Sequence, residues 1–145
     1  RLEEVRRLSF HEALREAGRP DPALGDELNR VYHEERRRVV VPFPDVAPCL
    51  DALAGRFVLG VVSNGNTHPS CCGLGDRFAF VTFAEDFGVA KPDPRLFALA
   101  LEGRGVEPGR VVHVGDSLAD DVAGARVPRT SRISRVSVVA GHASM

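Results

Sequence analysis

Apolar residues recur mostly at steps of three and four from Leu2 to about residue 38, a spacing that predicts helices. The first helix is predicted to end at Gly18-Arg19-Pro20, because glycine and proline interrupt helices. Asp21 and Pro22 then supply an N-cap and a first-turn proline for a second helix. The pattern therefore predicts two helices joined by a short turn, a helical hairpin.

The pattern changes after Val39–Pro44, a stiff segment interrupted by proline that is the best candidate for a domain boundary. Short, almost wholly apolar runs now alternate with helical segments, which is typical of a doubly wound α/β fold. Two of the runs are predicted to be strands buried on both faces, as in parallel sheets. The predicted strands are 57–62, 79–83 and 111–114, and the predicted helices are 46–54, 93–101 and a segment ending at 125.

Composition sets limits on function. The 145 residues suffice for one hydrophobic core, and the net charge of −1 gives no basic surface for nucleic acid or an anionic membrane. No apolar run approaches the roughly 20 residues that a bilayer span requires. The cysteines are three in number, and two of them, Cys71 and Cys72, are adjacent. Such a set is a poor disulfide framework, so we expect a reducing, cytoplasmic compartment.

The N-terminus is unusual. The sequence starts at Arg1, its one methionine is Met145, and helical periodicity is already present at residue 2 without a preceding cap. The segment Arg1–Phe10 also lacks the layout of a secretory signal. We interpret the N-terminus as cut from something longer.

Polar residues directly follow each apolar run, where ligands bind in open α/β sheets. They are Ser63-Asn64-Gly65, Lys91-Pro92-Asp93 and Gly115-Asp116-Ser117 with Asp120 and Asp121. A hydroxyl, an ammonium and carboxylates on one rim would suit an anionic ligand beside a hard cation. Taken singly, each has an ordinary explanation: a turn, a solvated lysine, and an N-cap with acidic residues at the start of a helix.

Taken in order, these segments resemble the second, third and fourth motifs of the haloacid dehalogenase-like (HAD) hydrolase superfamily. Lys91 lies 28 residues after Ser63, and Asp116 lies 25 residues after Lys91. The resemblance covers about residues 1–126. It implies a Rossmann-like α/β core with a parallel sheet, residues 44–145, and a partial helical cap, residues 1–43, in a helical-cap phosphatase.

The resemblance also implies a mechanism, in which a phosphoryl group passes to an aspartate and then to water. Ser63 and the Asn64 N–H would bind the phosphoryl oxygens, and Lys91 would neutralise the charge of nucleophile and phosphate. Asp116 would ligate Mg²⁺ and Asp121 would orient the metal site and Lys91. Asp120 is the weaker candidate, since the family spacing selects its neighbour. The substrate would be a small phosphorylated metabolite.

One departure from the family is serious. The first motif, Asp-x-Asp after an apolar strand, does not occur in these 145 residues. With it are missing the nucleophile and the central strand, which in the family lies between the strands ending at Val62 and Val114. We therefore expect that this chain alone does not hydrolyse phosphate esters and that it is marginally stable, because two strands lose a neighbour.

Further points concern the C-terminal segment, the alternative functions, His113 and the oligomeric state. Residues 126–145 are atypical for the family, and Arg135–Ala140 is either a late last strand or part of an irregular tail. A haloacid dehalogenase and a non-catalytic phosphate-binding remnant are the alternative functions. His113 is interpreted as a strand residue beside the core, and the sequence gives no indication of the oligomeric state.

Overall fold

The computed structural model describes residues 2–125 and 135–138, the last four without their side chains. The chain divides into two compact units. The first consists of residues 1–60 and 65–79, and the second of residues 61–64 and 80–145. The boundary expected between residues 43 and 44 falls within the first unit and stays a prediction.

The first unit begins with the predicted helical hairpin, α1 (Leu2–Glu16) and α2 (Pro22–Arg38), followed by α3 (Val46–Ala54). The carboxylate of Asp21 accepts a hydrogen bond from the Leu24 N–H at 3.0 Å, and Pro22 occupies the first turn. The N-cap and the hairpin are therefore confirmed.

Aromatic and polar contacts join the two helices of the hairpin. The rings of Phe10 and Tyr32 meet edge to face with their centroids 6.0 Å apart, a favourable aromatic geometry. His11 Nε2 lies 2.8 Å from Asp26 Oδ1, and a Cβ on Gly25 would overlap the His11 ring. A glycine at position 25 is thus what lets the helices approach so closely.

The second unit contains the strands and the shorter helices. Strand β1 pairs with β2, and β3 pairs in parallel with β4, with Val112 opposite Arg135 and Gly115 opposite Val138. The late last strand is therefore confirmed in part. The elements are β1 (Gly60–Ser63), β2 (Phe80–Phe83), α4 (Ala84–Phe87), α5 (Pro94–Leu101), β3 (Val112–Gly115), a π-helix (Leu118–Val122), α6 (Ala123–Ala125) and β4 (Arg135–Val138).

Two expectations about the strands are wrong. Strand β1 begins at Gly60, and Phe57 and Val58, which precede it, are 53% and 78% exposed. Strand β3 is not buried on both faces, since Val112 and Val114 are 52% and 57% exposed. Side chains alternate between the two faces of a strand, and the described residues cover only the face of β3 that carries His113. Within the described part of the chain, no ladder joins β1 to β3.

Helix α5 forms the core of the second unit. Leu96, Phe97 and Ala100 are 0%, 6% and 1% exposed. A Cβ on Gly124 would lie 2.8 Å from the Phe97 ring, so a small residue is required there for α6 to pack against α5. Asp93 caps this helix, its carboxylate accepting a hydrogen bond from the Arg95 N–H at 2.9 Å. None of the described helices has the length and hydropathy of a bilayer span.

Candidate active site

The side chain of Asn64 holds the backbone of Lys91. Asn64 directly follows β1, and its Nδ2 donates to the Lys91 carbonyl oxygen at 3.0 Å. The Lys91 N–H donates to Asn64 Oδ1 at 2.7 Å. One amide thus satisfies both polar groups of the lysine backbone, which fixes the start of the lysine side chain against the carboxyl end of β1.

The ammonium of Lys91 forms an ion pair with Asp121. Lys91 Nζ lies 2.7 Å from Asp121 Oδ1, and the two side chains are only 12% and 3% exposed. Water screens such a pair far less than it screens the surface ion pairs of the chain. Asp121, and not its neighbour Asp120, therefore contacts the lysine.

Two further donors hold the carboxylate of Asp121. His113 Nε2 lies 2.8 Å from the same oxygen, Oδ1, and the Ser117 N–H donates to Oδ2 at 3.0 Å. An ionised carboxylate can only accept hydrogen bonds, so His113 must carry a hydrogen on Nε2. Three donors from three segments of the chain thus converge on one buried carboxylate.

Hydrogen bonding keeps this carboxylate ionised despite its burial. Burial raises the pKa of Asp121, but the hydrogen bonds from Lys91, His113 and the Ser117 N–H outweigh it and lower that pKa to about 2. At neutral pH the site therefore contains a fixed ammonium–carboxylate pair.

Gly115 makes room for Asp121. A Cβ at position 115 would lie 2.7 Å from the Asp121 Cβ and closer still to its carboxyl group. The carboxylate can therefore pass over the backbone of β3 only because residue 115 has no side chain.

Ser117 starts the helical segment that carries Asp121. Its Oγ accepts a hydrogen bond from the Asp120 N–H at 3.0 Å. The N-cap suggested by the sequence is thus confirmed for Ser117, and it occurs together with the Lys91–Asp121 ion pair. The same short segment serves both purposes, since its first turn directs Asp121 back towards β3.

The other predicted site residues lie next to this cluster in sequence. Ser63 is the last residue of β1 and precedes Asn64, and Asp116 is the exposed residue between β3 and Ser117. Within residues 2–125 and 135–138, no hydrogen bond or ion pair joins Asp116 to Lys91. That part of the chain also contains no group of three metal-binding side chains. The contacts thus unite Asn64, Lys91 and Asp121.

Two features of the site were not predicted. His113 was interpreted as a residue beside the core, and Asn64 was assigned only through its backbone N–H. The alternation of β3 could have indicated the first, because His113 and Gly115 share a face and Gly115 directly precedes the predicted acidic loop. No sequence signal indicates that the Asn64 side chain binds the backbone of Lys91.

A lysine held at the end of β1 and a buried carboxylate held beside β3 define an α/β enzyme-like site, and comparison with known proteins specifies the class. The family model for haloacid dehalogenase-like hydrolases matches residues 3–127. The chain belongs to this family of hydrolases, and its fold is HAD-like.

Relatives within the family carry different activities in their names. The chain is 36% identical over 124 residues to a phosphoserine phosphatase of Thermus thermophilus, covering 81% of this chain and 49% of the relative. A 2-haloacid dehalogenase structure from Pseudomonas syringae matches with 42% identity and a TM-score of 0.73. The match covers 86% of this chain and 55% of the dehalogenase chain. A magnesium-bound HAD hydrolase from Bacillus subtilis matches with 28% identity and a TM-score of 0.63. The match covers 84% of this chain and 57% of the Bacillus chain. The chain spans about half the length of these relatives.

Proposed function

We propose that the protein is a Mg²⁺-dependent phosphatase that acts on small phosphorylated metabolites through an aspartyl-phosphate. The Lys91–Asp121 ion pair, fixed at the end of β1 by Asn64, is the observation that carries the proposal. A cation held at one place by buried hydrogen bonds is suited to a ligand with two negative charges. The phosphoserine phosphatase among the relatives supports the same reaction class.

The residues would divide the work as follows. The ammonium of Lys91 neutralises charge on the phosphoryl group, and the Ser63 hydroxyl and the Asn64 N–H bind phosphoryl oxygens. Asp121 already accepts three hydrogen bonds, so it positions Lys91 and acts on the metal only from outside its ligand shell. The family's nucleophilic aspartate is not among these 145 residues, so turnover belongs to a protein that supplies it.

The residues present fit magnesium. Mg²⁺ binds through one or two carboxylates and completes its octahedral shell with water and phosphate oxygens, so it needs no cluster of three protein ligands. Asp116 is an exposed carboxylate in the loop after β3 and is the residue that would hold the ion. Bound there, Mg²⁺ would supply positive charge to the phosphate.

Phosphate binding tests the proposal on the chain itself. We expect inorganic phosphate to bind in the presence of Mg²⁺, as measured by calorimetry, and the binding to be lost in Lys91→Met and in Asp116→Asn. Asp86→Asn removes an exposed carboxylate of α4 and serves as the matched control, with binding unchanged. Phosphate binding that is absent, or that is indifferent to Mg²⁺ and to both substitutions, would overturn the proposal.

A haloacid dehalogenase is the second candidate, favoured by the Pseudomonas syringae structure. That reaction attacks carbon and needs no metal, whereas the phosphatase requires a carboxylate at position 116. Loss of ligand binding in Asp116→Asn therefore distinguishes the phosphatase from the dehalogenase. Phosphate binding without turnover of phosphate esters would instead favour a non-catalytic phosphate-binding remnant.

A cytoplasmic location is part of the same proposal. The three cysteines are free, as expected in a reducing compartment. The location is tested by fractionating cells that express the protein, and recovery outside the cytoplasm would contradict it.

A further inference from the structure

We infer that His113 is a positioning residue that holds the Asp121 carboxylate in the orientation that fixes the ammonium of Lys91. His113 and Lys91 contact the same oxygen of the Asp121 carboxylate. Lys91 Nζ and His113 Nε2 lie 2.7 and 2.8 Å from Asp121 Oδ1.

The two donors differ in rigidity. A lysine ammonium ends a flexible four-carbon chain and can follow its partner. The His113 ring is attached to β3, and it packs edge to face on Phe97, with ring centroids 4.9 Å apart at an angle of 83°. The histidine side chain is 13% exposed. The ring is therefore the fixed reference, and the lysine is the group that is positioned.

The second fixed reference is the backbone of the loop after β3. The Ser117 N–H holds Oδ2 at 3.0 Å, while His113 holds Oδ1. Together they define the rotation of the carboxylate about its Cβ–Cγ bond, which a single donor cannot do. The remaining acceptor direction of Oδ1 is then presented to Lys91. Without His113, rotation is restrained at one oxygen only, and the ammonium loses a fixed partner.

The consequence for catalysis rests on the proposed function, since a fixed ammonium matters only if Lys91 binds phosphate. The position of Lys91 can nevertheless be measured without substrate. Lys91 is the single lysine of the chain, because the other basic residues among the 19 are arginines. Protein made with ¹³C-lysine therefore shows one ε-methylene group in its NMR spectrum.

Substitutions at position 113 separate hydrogen bonding from packing. His113→Phe keeps a ring against Phe97 and removes the donor. His113→Gln keeps an N–H donor at the ε position and removes the ring. Asp121→Asn removes the anionic partner and serves as the positive control for a released lysine. Circular dichroism and thermal melting verify that each variant is folded before its spectrum is compared.

The expected spectra follow from the geometry. A fixed lysine has two inequivalent ε protons, so wild type and His113→Gln should show two resolved shifts. His113→Phe and Asp121→Asn should lose that difference as the side chain becomes mobile. A folded His113→Phe with wild-type lysine signals would overturn the inference, and so would a His113→Gln that behaves like His113→Phe. Failure of wild type to bind phosphate would count against the proposed function alone.

Discussion

Replacement of Asp121 by asparagine should remove a specific part of the acid dependence of stability. The pKa of Asp121 in the folded protein is about 2, against an ordinary value of 3.8. The folded state therefore holds the ionised form more strongly than the unfolded state does. The stabilisation is present in full above pH 3.8 and is lost as the pH falls through about 2.

The pKa difference sets the magnitude. A fall in the pKa from 3.8 to about 2 corresponds to about 2 kcal/mol, at about 1.4 kcal/mol for each pH unit. Asp121 is 2% exposed, so solvent does not reduce this effect as it does on the surface. Asparagine also leaves the Lys91 ammonium unpaired, and breaking a buried pair costs about 3 to 5 kcal/mol.

Urea unfolding at a series of pH values measures the effect. At pH 6 the free energy of unfolding of Asp121→Asn should be at least about 3 kcal/mol below that of wild type. The difference in the free energy of unfolding between wild type and Asp121→Asn should narrow by about half of that 2 kcal/mol by pH 3, and by most of it near pH 2. ¹³C NMR titration of the wild-type carboxylate reports the same pKa directly, without unfolding.

Asp93→Asn is the matched control. The hydrogen bonds from Arg95 also lower the pKa of Asp93, but this carboxylate is solvated, and asparagine preserves the cap of α5. The difference in the free energy of unfolding between Asp93→Asn and wild type should change much less with pH. If the free energies of unfolding of Asp121→Asn and wild type differed by a constant amount from pH 6 to pH 2, the buried ion pair would be refuted as the cause of the acid dependence.

Substitutions at three other positions test neighbouring features of the second unit. Gly115→Ala places a Cβ within 2.7 Å of the Asp121 Cβ, so it should destabilise the chain by about 1 to 3 kcal/mol in urea unfolding, and an unchanged midpoint would contradict the close approach. Ser117→Ala removes the N-cap and should cost about 1 kcal/mol, while Ser117→Asn, which caps equally well, should restore it. Asn64→Ala removes both hydrogen bonds to the Lys91 backbone and should weaken Mg²⁺-dependent phosphate binding at least about tenfold by calorimetry, and an unchanged affinity would show that the amide does not position the lysine.

The sequence was sufficient to locate the helices other than the short α4, because their ends carry local signals. Asp21, Asp93 and Ser117 each cap a helical segment through a hydrogen bond to a nearby N–H. These bonds join residues that lie two or three positions apart, so they can be read from the order of residues alone.

The burial of the strands could not be predicted in the same way. An apolar run indicates that a strand is suited to burial between two covering layers. It does not indicate whether those layers are present. Val112 and Val114 are more than half exposed because the described residues pack only on the His113 face of β3. The run at Phe57 and Val58 likewise precedes the strand.

The site was predictable as a set of motifs but not as a set of contacts. The order and spacing of the motifs indicated Lys91 and Asp121, which form the ion pair. The bond from His113 depends on the alternation of β3 and on the space left by Gly115, and the bonds from Asn64 depend on two loops meeting. Such contacts are set by tertiary structure, which residue spacing does not encode.

Phosphate titration followed at the single lysine tests the proposed site most directly. The ¹³C-lysine signal is recorded while inorganic phosphate is added, with and without Mg²⁺. Binding at the proposed site predicts a saturable shift of the Lys91 ε-methylene signal that requires Mg²⁺ and disappears in Asp116→Asn. A lysine signal that stays unchanged at saturating phosphate and Mg²⁺ would contradict it.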